Sequence, residues 1–416
     1  WMHNLTINMA NVTFANGNEV RISGSVNLLS NTYLDADNNT LVFWGGYGNQ
    51  TISIPISAAA DFQYMKFENN ANVTTTSSFI VTKDISVKEG SSFQANGGYV
   101  TFNTAPANCW VVEDGGTLKL YNVDFNNNTN NDYTPSGIAY IQGDFYKSGE
   151  SNFAPTNGTV VFSNITQREI VNASTNGAAE LIFYNLQIAD GSSVVTSTSW
   201  QVSSEIDVKN NASLIADQGT ISMVGATPAT KWIKNVSTHT LEFFNLDLTA
   251  GTTYTTDSWT IHGNLSSTAG SLVAQNGTIT FDNYAERTID DNDGGTFQFF
   301  KILVTDGSKL TTPSTSTEGS FTIANNATYP SGAGIEVQGT GQFYVGAAAT
   351  VTTFDAGAGV IDGYPKTITK SVDGKLEFGQ ITIVATPANE VTTATDFKIT
   401  GAGAAAFNNT GAGGYF

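Results

Sequence analysis

The sequence predicts an all-β chain: a right-handed parallel β-helix (β-solenoid) built from ~60-residue three-coil repeats. Three observations carry this expectation: a recurring apolar motif, repeat positions held by the same residue types, and the lack of any helical period. Leu241–Leu248 reads LEFFNLDL, and the chain keeps returning to that pattern. Leu181–Ile188 is LIFYNLQI, Leu118–Phe125 is LKLYNVDF, Phe297–Val304 is FQFFKILV and Leu376–Ile383 is LEFGQITI. Degenerate copies stand at Phe62–Phe67 and Trp1–Ile7. Each has apolar residues at alternating positions, the period of a strand with one face buried. Taking Leu246 as a marker, the recurrences fall at Leu5, Phe67, Val123, Leu186, Leu246, Ile302 and Ile381.

In chain order, residues 1–44 read as three strands with turns at Asn16-Gly17-Asn18 and at Asp35–Asn39 (DADNN). The segments that follow Phe67, Leu186 and Leu246 share one plan. Phe79, Trp200 and Trp259 occupy one repeat position; Gly98, Gly219 and Gly277 occupy another, each in a turn before a strand. Residues 126–137 (NNNTNNDYTPSG) read as an exposed polar loop. The interval from Ile302 to Ile381 is clearly longer than that from Leu246 to Ile302, and the surplus reads as one added coil. Residues 401–416 form a Gly/Ala-rich end segment. The whole of 1–416 reads as one continuous solenoid of about twenty coils.

Composition narrows the partners. The net charge of −19 argues against nucleic acid, whose affinity rests on cationic contacts to phosphate. No stretch reaches the ~20 apolar residues of a membrane span. The single cysteine, Cys109, excludes an intrachain disulfide and reads as a small buried apolar residue. Few lysines, many Thr and Asn, and no thiol chemistry fit an extracellular or cell-surface chain whose export signal has been removed. N-x-S/T sequons supply glycosylation candidates at Asn72, Asn127, Asn157, Asn164, Asn172, Asn211, Asn235, Asn264, Asn276 and Asn326.

The search for reactive chemistry returns little. His3, His239 and His262 have no zinc-type spacing, and Arg21, Arg168 and Arg287 are scattered. Calcium prefers closely spaced oxygens. Asp35, Asp37 and Asn39, and Asp290, Asp291 and Asp293, are therefore the metal candidates. Trp44 and Tyr47 are candidates for stacking on sugars. No catalytic or organic-cofactor residue is expected.

Segments such as FYNLQIADGSSVVTSTSWQV and NASLIADQGTISMVG resemble the repeats of large bacterial and archaeal cell-surface β-helix proteins, similar to filamentous adhesins and autotransporter passenger regions. The resemblance implies export and surface display, and carries over no catalytic residue. The expectation is a structural, non-enzymatic subunit of an extracellular filament or surface layer. It self-assembles head to tail through its terminal coils, with glycans as possible partners. The alternatives are a surface adhesin or carbohydrate-binding β-helix and a polysaccharide-degrading β-helix enzyme.

Overall fold

The computed structural model describes residues 1–312 except 15–16, 47, 104–107, 128–131, 175–179, 237–239, 283–284 and 292–294. Beyond these it describes 321–324, 333–338, 342–345, 351–355, 366–373, 375–378, 380–383, 391–393, 396–399 and 407–409. All regular structure in these residues is β, and every pairing between named strands is parallel. The chain divides into two compact units, Trp1–Val202 with Lys209–Ser213, and Ser203–Val208 with Leu214–Phe416. Each is a stack of parallel coils, and together they hold about 14 turns, fewer than the expected twenty. Among the described residues no helix is long and apolar enough to cross a membrane.

In the second unit each coil contributes a strand to each of three ladders. One ladder includes Thr230–Asn235, Gly251–Thr255 and Gly270–Ala274. A second begins with Leu241–Phe243, Trp259–Ile261 and Thr278–Phe281. The third begins with Thr220–Met223, Asn245–Leu248 and Leu265–Ser267. The strand holding Ile302 is the eighth after that holding Leu246, and the strand holding Ile381 is the eighth after that. Eight strands on a three-strand coil make two and two-thirds turns, not three coils. Successive markers therefore move to a new face: Leu246, Ile302 and Ile381 lie in three different ladders and do not stack. The extra length before Ile381 also adds no coil. It is taken up by longer ones. One coil step carries Ile302 to Ile335 and the next carries Ile335 to Ile368, whereas the step from Leu246 reaches only Leu265.

In several copies the recurring motif is a corner between two strands, although Ile182–Ile188 runs through as one. Leu241–Phe243 and Asn245–Leu248 are separate strands in different ladders, with Phe244 between them. Leu241, Phe243, Leu246 and Leu248 are all buried, so the inward step runs two, three, two. That extra residue turns the chain from one face to the next while keeping apolar side chains inside. Leu118, Leu120, Val123 and Phe125 repeat the arrangement around Tyr121.

In the first unit two faces often run on as a single long strand. Tyr33–Trp44 passes straight through DADNN, which is not a hairpin turn; its register shifts between Ala36 and Thr40. The expected polar loop at 126–137 also differs. Tyr133 is fully buried there, donates its hydroxyl to the Phe102 carbonyl at 3.0 Å and meets Phe125 edge-on at 5.1 Å. A large aromatic ring in the polar run found apolar cover, and the Asp132–Tyr133 bridge pairs with Asn152–Phe153.

Aromatic packing repeats as the sequence equivalences require. Phe79 meets Phe62 at 5.5 Å, Trp200 meets Phe183 at 5.5 Å and Trp259 meets Phe243 at 5.4 Å, all edge to face. Each such contact is worth about 0.5–1.5 kcal/mol beyond burial. The two indoles donate to a threonine four residues earlier, Trp200 to Thr196 at 3.1 Å and Trp259 to Thr255 at 3.3 Å. Gly98, Gly219 and Gly277 have φ of 72°, 74° and 79°, the left-handed conformation that glycine adopts without strain. Cys109 is buried as expected, and burial pushes its thiol well up.

A latch between consecutive coils recurs too. The Asn4, Asn122 and Asn245 side-chain oxygens each accept a backbone N–H from the next coil, from Ser25, Asp144 and Asn264, all at 2.8 Å. The residue before each donor is Gly24, Gly143 or Gly263. A Cβ there would lie 2.1, 2.1 and 2.3 Å from the same asparagine oxygen. Only glycine lets the coils come this close. Gly143→Ala is therefore expected to lower stability by about 2 kcal/mol, read as a reduced urea midpoint. A loss within ~0.5 kcal/mol, the range of neutral surface changes, would show that the latch does not set the coil spacing.

Candidate functional site

The second unit carries an open cleft of about 530 Å³ at the corner between two of its ladders. Asn235, Thr240, Glu242, Thr256, Asp257, Ser258, Thr260, Asn276 and Thr280 supply its polar lining, with Leu241, Trp259 and Gly277. Its shape follows from three consecutive turns. The Asn235 backbone N–H donates to the Asp257 carboxylate at 3.0 Å, and its side-chain NH2 to the Ser258 carbonyl at 2.8 Å. Asp257 is held in turn by its own N–H donating to Thr255 Oγ1 at 3.2 Å. The Thr278 N–H donates to Ser258 Oγ at 2.8 Å, and a Cβ on Gly277 would lie 2.4 Å from the Asp257 carbonyl carbon. Trp259, 3% exposed, forms the back wall. The lining includes two carboxylates and neither lysine nor arginine.

Glu242, on the rim, joins a chain across three coils. His262 Nε2 lies 3.1 Å from Glu242 Oε2, and His262 Nδ1 lies 2.8 Å from the Asp282 carbonyl oxygen. Burial pulls the His262 pKa down, but the Asp282 carbonyl and the Glu242 carboxylate together outweigh it and raise it above its ordinary value.

The other sequence candidates fall elsewhere. His3 Nδ1 lies 3.2 Å from Ser23 Oγ, and His239 lies outside the described residues. The three arginines lie over rings: Arg21 5.3 Å from Trp1 and 5.2 Å from Trp44, Arg168 5.1 Å from Tyr121, Arg287 5.4 Å from Phe244. They pack by cation–π attraction, and none is among the lining residues of the cleft described above. Tyr47 is outside the described residues.

Among the metal candidates, Asp35 is partly exposed while Asn39 is buried, and its Oδ1 already accepts the Asn18 N–H at 3.0 Å. Asp290 lies in the strand Glu286–Asp291. The side chains of Asp37 and Asp291, and Asp293 altogether, lie outside the description. Among the described residues no three of His, Cys, Asp and Glu converge.

Many sequon asparagines are coil-to-coil ties. Asn127 is buried, and so is Asn235. Asn172 donates to the Ser199 carbonyl at 3.2 Å, Asn72 to Asn49 at 2.8 Å, and Asn164 to the Gln142 carbonyl. Asn264 accepts the Thr288 N–H at 3.0 Å. Asn276 lines the cleft, Asn157 and Asn211 are exposed, and Asn326 lies outside the described residues.

Sequence reasoning passed over the cleft and the latch. The signals were present, in T-x-x-x-W before a turn glycine and in Asn-Leu or Asn-Val followed one coil later by Ile-x-Gly. No family, curated protein or solved structure matches this chain.

The His262 bridge makes stability depend on pH. A raised folded pKa means that its contribution is fully present below the unfolded value, ~6.5, and is lost as pH rises through the folded one. The bridge is partly exposed, so at most about 1 kcal/mol is expected. His262→Gln should flatten the dependence of the urea midpoint on pH from 6 upward; an unchanged slope would contradict the assignment.

Proposed function

We propose that the protein is a structural, non-catalytic β-solenoid of an extracellular surface, whose copies stack head to tail into a filament or layer. One observation supports this reading: charged and polar side chains are spent between consecutive coils. Glu286 and Lys309 are register partners 2.6 Å apart, Glu377 and Lys398 stand 3.2 Å apart, and Glu336 and Lys301 2.6 Å. Lys88 and Glu113 pair in the same way in the first unit. These bridges lower the Glu286, Glu113 and Glu336 pKa values through the lysine each one meets. Exposed pairs of this kind add little stability singly, but they favour register. The same ladder chemistry serves a coil of the same chain and a coil of another copy, because a parallel edge pairs with any strand offered in register.

Right-handed coiling, the rule for parallel crossovers, belongs to the same proposal, as does a building unit of ~60 residues. So do export and glycan attachment at exposed asparagines such as Asn157 and Asn211. Coil edges such as those of Leu5–Ile7 and Asn11–Thr13, which pair on one side with Val26–Leu28 and Tyr33–Trp44, would make the contact between copies.

Electron microscopy and sedimentation velocity test this reading. Purified protein should form unbranched polymers as concentration rises. Removing Trp1–Thr13 should abolish them while the circular dichroism of the remaining coils is retained. A stable monomer at high concentration, or polymers that survive the truncation unchanged, would defeat it.

A further inference from the structure

Trp232 and Tyr254 are register partners in adjacent coils of the second unit. Their rings are 5.3 Å apart and inclined by only 32°. Both alternate with buried neighbours, Ile233 and Thr253 among them, so both point outward, and both are partly exposed. Lys234 lies on the same side, its ammonium 5.7 Å from the Trp232 ring and 2.7 Å from the Glu205 carboxylate. Two residues beyond Tyr254 comes Thr256, just past the end of its strand, and three beyond Trp232 comes Asn235, the last residue of its strand and part of the cleft lining. Thr256 lines the cleft. A two-ring apolar step therefore adjoins a polar cleft.

We propose that this step and cleft together bind a neutral oligosaccharide. A pyranose has an apolar C–H face and a rim of hydroxyls. The partly exposed surface of the tilted ring pair offers the first an apolar contact, and amphipathic rings of this kind are common at wet sites with one apolar side. The cleft meets the second. Carboxylates accept paired hydroxyls, the Asn276 amide can both donate and accept, and the Thr240, Thr256 and Thr280 hydroxyls do the same. The volume lies within the ~300–1,000 Å³ of small-ligand sites.

Charge decides between neutral and acidic glycans. Among the described residues the cleft lining contains Glu242 and Asp257 and no lysine or arginine, and the chain carries −19. The nearby Lys234 is already paired with Glu205. An acidic saccharide would meet repulsion without compensation. The site lies within one copy, so its occupancy does not depend on filament assembly.

Isothermal titration calorimetry with cellohexaose, maltohexaose, mannohexaose and laminarihexaose, and with hexagalacturonate as the acidic counterpart, tests the proposal. At least one neutral hexasaccharide should bind saturably at millimolar concentration or below, and hexagalacturonate should not. Trp232→Ala should weaken that binding about tenfold, one stacking contact's worth, while Trp44→Ala leaves it unchanged. Circular dichroism checks that Trp232→Ala still folds. Thr256→Val, which removes a rim hydroxyl at constant shape, should weaken binding severalfold and carries the test if it does not. The proposal is overturned if no neutral hexasaccharide binds, if the acidic one binds more tightly, or if binding ignores the folded variants at both positions.

Discussion

The structure depends on one constraint: consecutive coils are joined by parallel backbone ladders, so each residue must sit almost directly over its partner one coil away. Parallel strands lie ~4.8 Å apart. At that spacing any group at a coil boundary either bonds its neighbour or collides with it. The Asn122 side chain bonds the Asp144 N–H, and Gly143 leaves it room. Asn245 and Gly263 repeat the solution in the second unit, and Asn4 and Gly24 at the start of the first. A net hydrogen bond of this kind contributes ~1 kcal/mol, but an unsatisfied or blocked one costs more. The interior follows the same logic, with Phe43 over Phe67 and Phe102 over Phe125 as register partners whose rings stack at 9° and 11°.

A solenoid of parallel strands was legible in the sequence because its signals are local. Alternation marks strands, and a recurring glycine with a buried aromatic one turn of chain before it marks a coil step. Phe79 pairs with Val100 just after Gly98, and Trp259 with Ile279 just after Gly277. The number of coils was not legible, because a repeat period measures chain length and not turns. Eight strands on a three-strand coil bring each repeat to a new face, and nothing in the spacing of Leu246, Ile302 and Ile381 reveals the count per turn. The corner could have been read. The inward step of three between Phe243 and Leu246 breaks the alternation in plain view.

The candidate site was harder to see, since its parts come from separate turns. Asn235, Asp257 and Asn276 belong to successive coils and meet only because those coils stack. Each alone reads as a turn residue. Outward aromatics posed the same difficulty: Trp110, Trp200 and Trp259 are core, while Trp232 is outward, and the difference lies in its phase relative to buried Ile233. The chemistry that makes asparagine a glycan acceptor, a side-chain amide, also lets it tie one coil to the next, as the buried Asn235 does to the Ser258 carbonyl.

The central claim, that register and not sequence recurrence determines which residues stack, is open to a crosslinking measurement. Ser222 and Asp247 are register partners in adjacent coils, both partly exposed, whereas Asp247 and Leu303 are equivalent positions of successive repeats in different ladders. Paired Cα atoms at strand spacing fall inside the ~4.4–6.8 Å window of a disulfide. Under mild oxidation Ser222→Cys/Asp247→Cys should close a disulfide in the folded protein, and Asp247→Cys/Leu303→Cys should remain reduced, the buried Cys109 taking no part. Closure of the second pair, or failure of the first, would contradict the account.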